Sequence, residues 1–206
     1  MARPRSSFAA FSKIVEAIYD CALNPPGWRE ALRLIGEQTH SPHVAIGTMD
    51  YDQKQLLNAV EYGYDQAAWH SYLEKYSVNP MMRRCHRTPI GAVYTTPLPG
   101  EWSDLLKSAF YNEWCIPHRS GEIVGLNGLR CGRRVAALVA HRTRHERAYS
   151  KQELRLMARL APHICRTFAI SDALGLHSIT ARDWKQRSMV LRLVSILQIA
   201  AAASSS

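Results

Sequence analysis

The stretch Gly121-Glu-Ile-Val-Gly-Leu-Asn-Gly-Leu-Arg130, then Cys131-Gly132-Arg133, then Arg134-Val-Ala-Ala-Leu-Val-Ala-His-Arg142 decides the fold class. It holds two apolar runs of strand length separated by a tight turn, with a glycine to supply the positive φ that hairpin turns require. An earlier pair follows the same plan. His43 to Tyr51 is rich in Val, Ile and Thr, Asp52-Gln53-Lys54 turns the chain, and Gln55 to Tyr62 runs back until Gly63 ends it. Strands joined by turns this short pair antiparallel. Residues 91–96 (Gly-Ala-Val-Tyr-Thr-Thr) add a further strand, so the sheet has about five, a common size.

Helical periodicity surrounds these strands. Phe11, Ile14, Val15, Ile18 and Ala22 mark one face of a helix over 12–23, which Asn24-Pro25-Pro26-Gly27 breaks. Trp28, Ala31, Leu32 and Ile35 mark a second helix over 28–39. Asp65 caps a helix over 66–77 that Asn79-Pro80 stops. Ser103 or Asp104 opens another that runs to about 115. Ser150 and Glu153 have capping-box spacing before a long helix. Its apolar stripe is Leu154, Met157, Ala158, Ala161, Ile164, Cys165 and Phe168, and Pro162 should kink it. The result is an α+β chain whose helices must cover the faces of an antiparallel sheet. The expected divisions are an N-terminal arm over 1–11, a domain over 12–175, and a tail over 176–206 with a short apolar helix at Trp184 to Gln198.

Composition excludes several classes. At 206 residues and 47% hydrophobic content the chain can fill one core. Its five cysteines are odd in number and scattered, which reads as reduced thiols in a cytoplasm. The start lacks a secretory h-region, and the apolar tail is too short to span a bilayer. The net charge of +9 lies in the second half: residues 1–103 hold ten Lys/Arg and ten Asp/Glu, whereas 104–206 hold sixteen and seven. Arg130, Arg133, Arg134, Arg142, Arg144 and Arg147 crowd one hairpin and its exit loop, and read as a solvated tip.

Nothing in the sequence points to catalysis, to a cofactor or to a metal. There is no P-loop, no Gly-x-Gly-x-x-Gly and no Gly-x-Ser-x-Gly. Cys115-x-x-His118 has ligand-like spacing, but zinc needs four convergent ligands and no second pair matches it. Trp69, Tyr72, Leu73 and Tyr76 share one helix face. They serve either as a ligand wall or as a plain core stripe.

Three phrases carry a family resemblance. They are Trp69-His-Ser-Tyr72-Leu-Glu-Lys-Tyr76-Ser-Val-Asn79-Pro80, then Phe110-Tyr111-Asn112-Glu113-Trp114, then Leu160-Ala161-Pro162-His163. In this order they resemble the N-terminal sensory domain of LuxR-type bacterial transcription regulators. The resemblance implies a PAS/GAF-like α/β/α sandwich over about 12–175 and a role in ligand sensing and dimerisation. It implies a small apolar or aromatic ligand held by Trp69, Tyr72, Tyr76 and Asn79, with Tyr94, Phe110 and Trp114 closing the same cavity. It also implies pairing with a second copy or an intact relative. Autoinducer-binding relatives have an Asp where this chain has Asn79, which removes the charge-assisted acceptor for a lactone's amide. No helix-turn-helix is recognisable after Gly175, so sequence-specific DNA binding is not expected from these residues. A frameshifted fragment of such a regulator, or a small enzyme on the same fold, are the alternative readings.

Overall fold

A computed structural model describes residues 5–95 and 102–174. The tail helix expected at 184–198 and the last residue of the expected 91–96 strand lie outside them. Helix α1 (Arg5–Asp20) and a short 3-10 turn (Pro25–Gly27) lead into α2 (Trp28–Thr39). Strands β1 (His43–Asp50) and β2 (Gln55–Tyr62) follow. Helix α3 (Gln66–Ser71) passes into a π-helical turn (Tyr72–Tyr76), then α4 (Met82–Arg87) and β3 (Val93–Thr95). Helix α5 (Trp102–Leu106) and a second π-helical turn (Phe110–Cys115) precede β4 (Ser120–Cys131), β5 (Arg134–Thr143) and α6 (Lys151–Ala173).

The strands form one five-stranded antiparallel sheet in the order β2-β1-β5-β4-β3. The β4–β5 hairpin closes where its sequence places it. Cys131 pairs with Arg134, and Gly132 takes φ 55° in the two-residue loop between them.

Strand alternation gives the sheet two different faces. Val44 and Ile46 of β1, Val124 and Leu126 of β4, and Ala136, Leu138 and Ala140 of β5 face the main core. There they meet α1, α2 and α6 through Ile14, Ile18, Leu32, Ile35, Met157, Leu160 and Ile164. The opposite face receives α3, α5 and the two π turns. Helices on both faces make the α+β sandwich that the sequence predicts.

Several sequence expectations need correction. Helix α1 begins at Arg5, inside the expected arm, because nothing between Arg5 and Phe11 breaks a helix. The helix expected over 66–77 is a six-residue α-helix followed by a π turn. The one expected from 103 or 104 to about 115 is α5 and a separate π turn. Helix α4 was not expected, since Asn79-Pro80 was read only as a stop; a helix restarts just after it. Helix α6 runs unbroken across Pro162, which sits on the solvent face where its carbonyl partner can turn to water. Its buried face holds Leu160, Glu153, Thr167 and Ser171, whereas Ala158 is exposed. Two of these polar groups fasten α6 to α1: Thr167 donates to the Ile18 carbonyl at 3.2 Å and Ser171 to the Ala22 carbonyl at 3.0 Å.

Of the six arginines read as a solvated tip, Arg130, Arg133, Arg134, Arg144 and Arg147 are exposed, whereas Arg142 is not. Arg142 is only 1% exposed and donates to Glu153 at 2.6 Å and to the Thr39 carbonyl at 2.7 Å. Arg147 also grips Glu153, at 2.8 and 2.9 Å, and Arg133 pairs with the buried Asp50 at 2.7 Å. Burying the Glu153 carboxyl would by itself raise its pKa. Donors from Arg147, Ser150 and His40 overturn that and hold it far below the usual carboxylate range. This cluster joins the end of α2, the end of β5 and the first turn of α6. Sequence spacing cannot show its full extent, because Thr39 and His40 of the α2 end lie more than a hundred residues from Arg142 and Glu153.

Candidate functional site

The sheet face away from the main core is built from small side chains. Across three strands, Ala59 of β2 pairs with Gly47 of β1, and Gly47 pairs with Ala137 of β5; Ala45 pairs with Val139 beside them. On β4, Gly125 lies opposite Tyr94 of β3. A Cβ at Gly125 would sit 2.6 Å from the Tyr94 ring, so glycine is what lets that ring lie across the sheet. Small residues leave the sheet surface low, and the covering layer cannot fill the space above it.

That layer is aromatic, and much of it comes from the two π turns. Trp69 and Tyr72 stack with ring centroids 5.4 Å apart, and Phe110 and Trp114 stack at 5.5 Å. Tyr72 and Trp114 bring the two pairs together at 5.2 Å. The Trp114 indole N–H donates to the Ala68 carbonyl at 3.0 Å and ties the second π turn to α3. Single π turns within helices recur at functional sites.

Between the low sheet and this aromatic layer lies a cavity of about 530 Å³. That is within the range of small-molecule sites. Of the residues that the sequence singles out, Trp69, Tyr72, Asn79, Tyr94, Phe110 and Trp114 line it. Tyr76 does not. It packs against the cluster of Leu105, Phe110, Trp114 and Cys115, and its hydroxyl donates to Glu113 at 2.8 Å. Asn79 borders the cavity, but its side chain closes its own turn. Its amide donates to the Tyr76 carbonyl at 2.9 Å, and its Oδ1 accepts from the Met81 N–H at 3.0 Å.

One group of lining residues was not anticipated. His141 of β5 pairs in register with His43 of β1 and Ile123 of β4. Its Nδ1 lies 3.2 Å from the Ser120 hydroxyl. Tyr64 stacks on His43 at 4.5 Å and meets His141 edge-on at 5.9 Å, Trp69 at 5.5 Å and Trp114 at 5.8 Å. Burial, with His43 nearby, pushes the His141 imidazole down to about 3. Burial likewise lowers His43, holds the Tyr64 phenol well above its usual range, and pushes the Cys115 thiol up to about 12. At neutral pH this end of the cavity therefore carries hydrogen-bonding groups without charge. The carboxylates that border it are engaged elsewhere: Glu122 accepts from the Tyr149 N–H and Glu146 from the Thr143 N–H. Among the described residues, no three His, Cys, Asp or Glu side chains converge as a metal site would need. No described helix is long and apolar enough to cross a membrane.

No protein-family profile matches the chain, and no curated protein matches it in sequence. Solved structures do match in fold. The VqsR LBD domain from Pseudomonas aeruginosa superposes with a TM-score of 0.56 at 13% identity, covering 82% of this chain and 98% of that one. The N-acylhomoserine lactone dependent LuxR family transcription factor CepR2 from Burkholderia cenocepacia gives 0.52 at 13% identity, covering 84% and 98%. The GAF domain/HD domain protein from Geobacter sulfurreducens gives 0.51 at 15% identity, covering 81% and 96%. At these identities the likeness is one of fold, a GAF-like sandwich.

Proposed function

We propose that this chain is the ligand-sensing regulatory domain of a LuxR-type transcription regulator, and that its ligand is a small apolar or aromatic molecule. The observation that carries the reading is the 530 Å³ cavity between a sheet of small side chains and a layer of stacked aromatics. A chain that only needed a core would gain by filling that space, since an unfilled cavity costs stability. The fold likeness to the LuxR family transcription factor CepR2 supports the LuxR-type assignment, as do the aromatic phrases at 69–80 and 110–114.

Binding without turnover fits the groups at the site. A nucleophile must be ionised or paired with a base poised near the working pH. Here the nearest imidazole and thiol, His141 and Cys115, are both held neutral. Sensing would act by population shift, with the ligand favouring whichever domain arrangement binds it better. The exposed apolar side chains Leu23, Ile170 and Leu174, at the ends of α1 and α6, support pairing with a second copy or a relative through these helices. Such a regulator would work in the cytoplasm.

The test is a thermal-shift screen of small apolar and aromatic compounds on the wild-type chain and on Met49→Trp, which fills the cavity from β1. Compounds that raise the melting temperature of the first and not the second support the reading. Equal shifts in both, or none in either, overturn it.

A further inference from the structure

The strand register gives the cavity a direction. His141 and Val135 both line it from β5, six residues apart, which spans about 20 Å along the strand. Their partners on β1 are His43 and Met49. One end is thus hydrogen-bonding, with His141, Ser120 and Tyr64. The other is apolar and soft, with Met49, Leu56 and Val135. Methionine adapts to irregular apolar shapes.

At the first end two polar groups have spare capacity. Ser120 occupies Nδ1 of His141, and the ring's Nε2 has no hydrogen-bond partner among the described residues. Neither does the Tyr64 hydroxyl. The Ser120–His141 bond can run either way, so Nε2 is a donor in one tautomer and an acceptor in the other. A hydroxyl matches both. The carboxylates of Glu122 and Glu146 border this end and hold backbone N–H groups, and the exposed Arg144 guanidinium also borders the cavity, over the Tyr111 ring at 5.8 Å. An ionised head at His141 would lose its water to neutral partners, with Arg144 out at the exposed rim and two carboxylates beside it that repel an anion.

We propose that the cavity takes an uncharged amphiphile with a hydroxyl-bearing aromatic head, that His141 Nε2 and the Tyr64 hydroxyl anchor the head's hydroxyl while Ser120 positions the imidazole through Nδ1, and that the alkyl end lies among Met49, Leu56 and Val135. This rests on the cavity being the ligand site. It departs from what the family resemblance implies, which would put the polar contact at Asn79. That side chain is spent on its own turn.

The experiment is calorimetric titration at pH 7 with three matched probes: 4-hexylphenol, 4-hexylanisole and 4-hexylbenzoate. The proteins are wild type, His141→Asn, Ser120→Ala and Met49→Trp. Asn keeps a polar atom near Ser120 and removes the Nε2 position. In the wild type the phenol should bind about tenfold tighter than the anisole, the value of one good hydrogen bond. The benzoate should bind more weakly than the phenol. His141→Asn should reduce the phenol's lead to about twofold or less, and an unchanged far-UV circular dichroism spectrum reports that the fold is intact. If His141→Asn does not fold, Ser120→Ala carries the test and should narrow the same lead. A lead that survives these changes, or a benzoate that binds tightest in the wild type, overturns the proposal. If the probes bind and Met49→Trp weakens all three, the cavity reading stands in either case. If no probe binds, or if Met49→Trp changes nothing, the cavity is not the ligand site and both readings fall.

Discussion

Acid should destabilise this protein through His141, and the size of the effect can be worked out. The imidazole is held down to about 3 in the folded chain and returns to its ordinary value near 6.5 when the chain unfolds. Because the folded value is depressed, the stability contribution is complete above the unfolded pKa and is lost as pH falls toward the folded one. Between these values the unfolded chain binds one proton more, so stability falls by up to about 1.4 kcal/mol per pH unit. Integrated from pH 7 to pH 5, the loss from this one group is about 2 kcal/mol. The groups facing it are His43 from β1, Ser120 from β4 and Tyr64 from the link between β2 and α3. His43, also depressed, adds a loss of the same sign. Glu153 is depressed as well, but its loss begins only as pH falls into the usual carboxylate range, where the unfolded chain takes up the proton. The assay is urea denaturation followed by tryptophan fluorescence at pH 7, 6 and 5, for the wild type and for His141→Asn. The variant should lose about 2 kcal/mol less than the wild type across that interval. An identical loss in both proteins would refute the burial argument for His141.

Other expectations are independent of this one. Glu153→Gln leaves the buried Arg142 without its counter-charge and should cost about 3–5 kcal/mol, seen as a large fall in the urea midpoint. Ser150→Ala removes the side-chain cap of α6 and should cost about 1 kcal/mol in the same assay. Gly125→Val must displace the buried Tyr94 ring and should cost about 1–3 kcal/mol. Timed iodoacetamide labelling at pH 8 should modify the exposed Cys131 well before Cys21 or Cys115, whose buried thiols are pushed up to about 12.

The sheet was legible because its two hairpins combine strand-length apolar runs with turn chemistry, and both signals are local. Helix α2 and the cap of α6 were legible for the same reason. Ser150 accepts from the Glu153 N–H, and the Glu153 carboxylate reaches back to the Ser150 N–H. The two π turns were not legible. An i, i+3, i+4 aromatic pattern suits an ordinary helix, and nothing local signals that Tyr72 of one turn will meet Trp114 and Phe110 of the other across the cavity roof. Glu153 misled most, since its capping-box position is usually exposed. Here three other segments close over it, and Arg142, Arg147 and His40 converge on its carboxylate.

Half of the candidate site could be read, and the physical reason is one of contrast. Large aromatics announce themselves, so Trp69, Tyr72, Tyr94, Phe110 and Trp114 stood out as a wall. A cavity, however, is made equally by what is missing on the other side. Ala45 and Gly47 alternate with Val44 and Ile46, and Ala137 follows Ala136, yet single-sequence periodicity scores small residues as weakly apolar on either face. Only the pairing of Ala59 with Gly47, and of Gly47 with Ala137, aligns three small side chains into a low floor. The same alternation carries His141 onto that face. In the sequence it was one of two histidines in a basic stretch; in the sheet it is two residues along from Val139, facing Tyr64. Leucine at 137 would raise the floor beneath the aromatic layer while leaving the main core, on the opposite face, untouched. Ala137→Leu should therefore weaken the binding of any cavity probe far more than it lowers the melting temperature. An equal loss of both would mean that the two faces of the sheet are not separable, and that the cavity is a packing defect of one core and not a site.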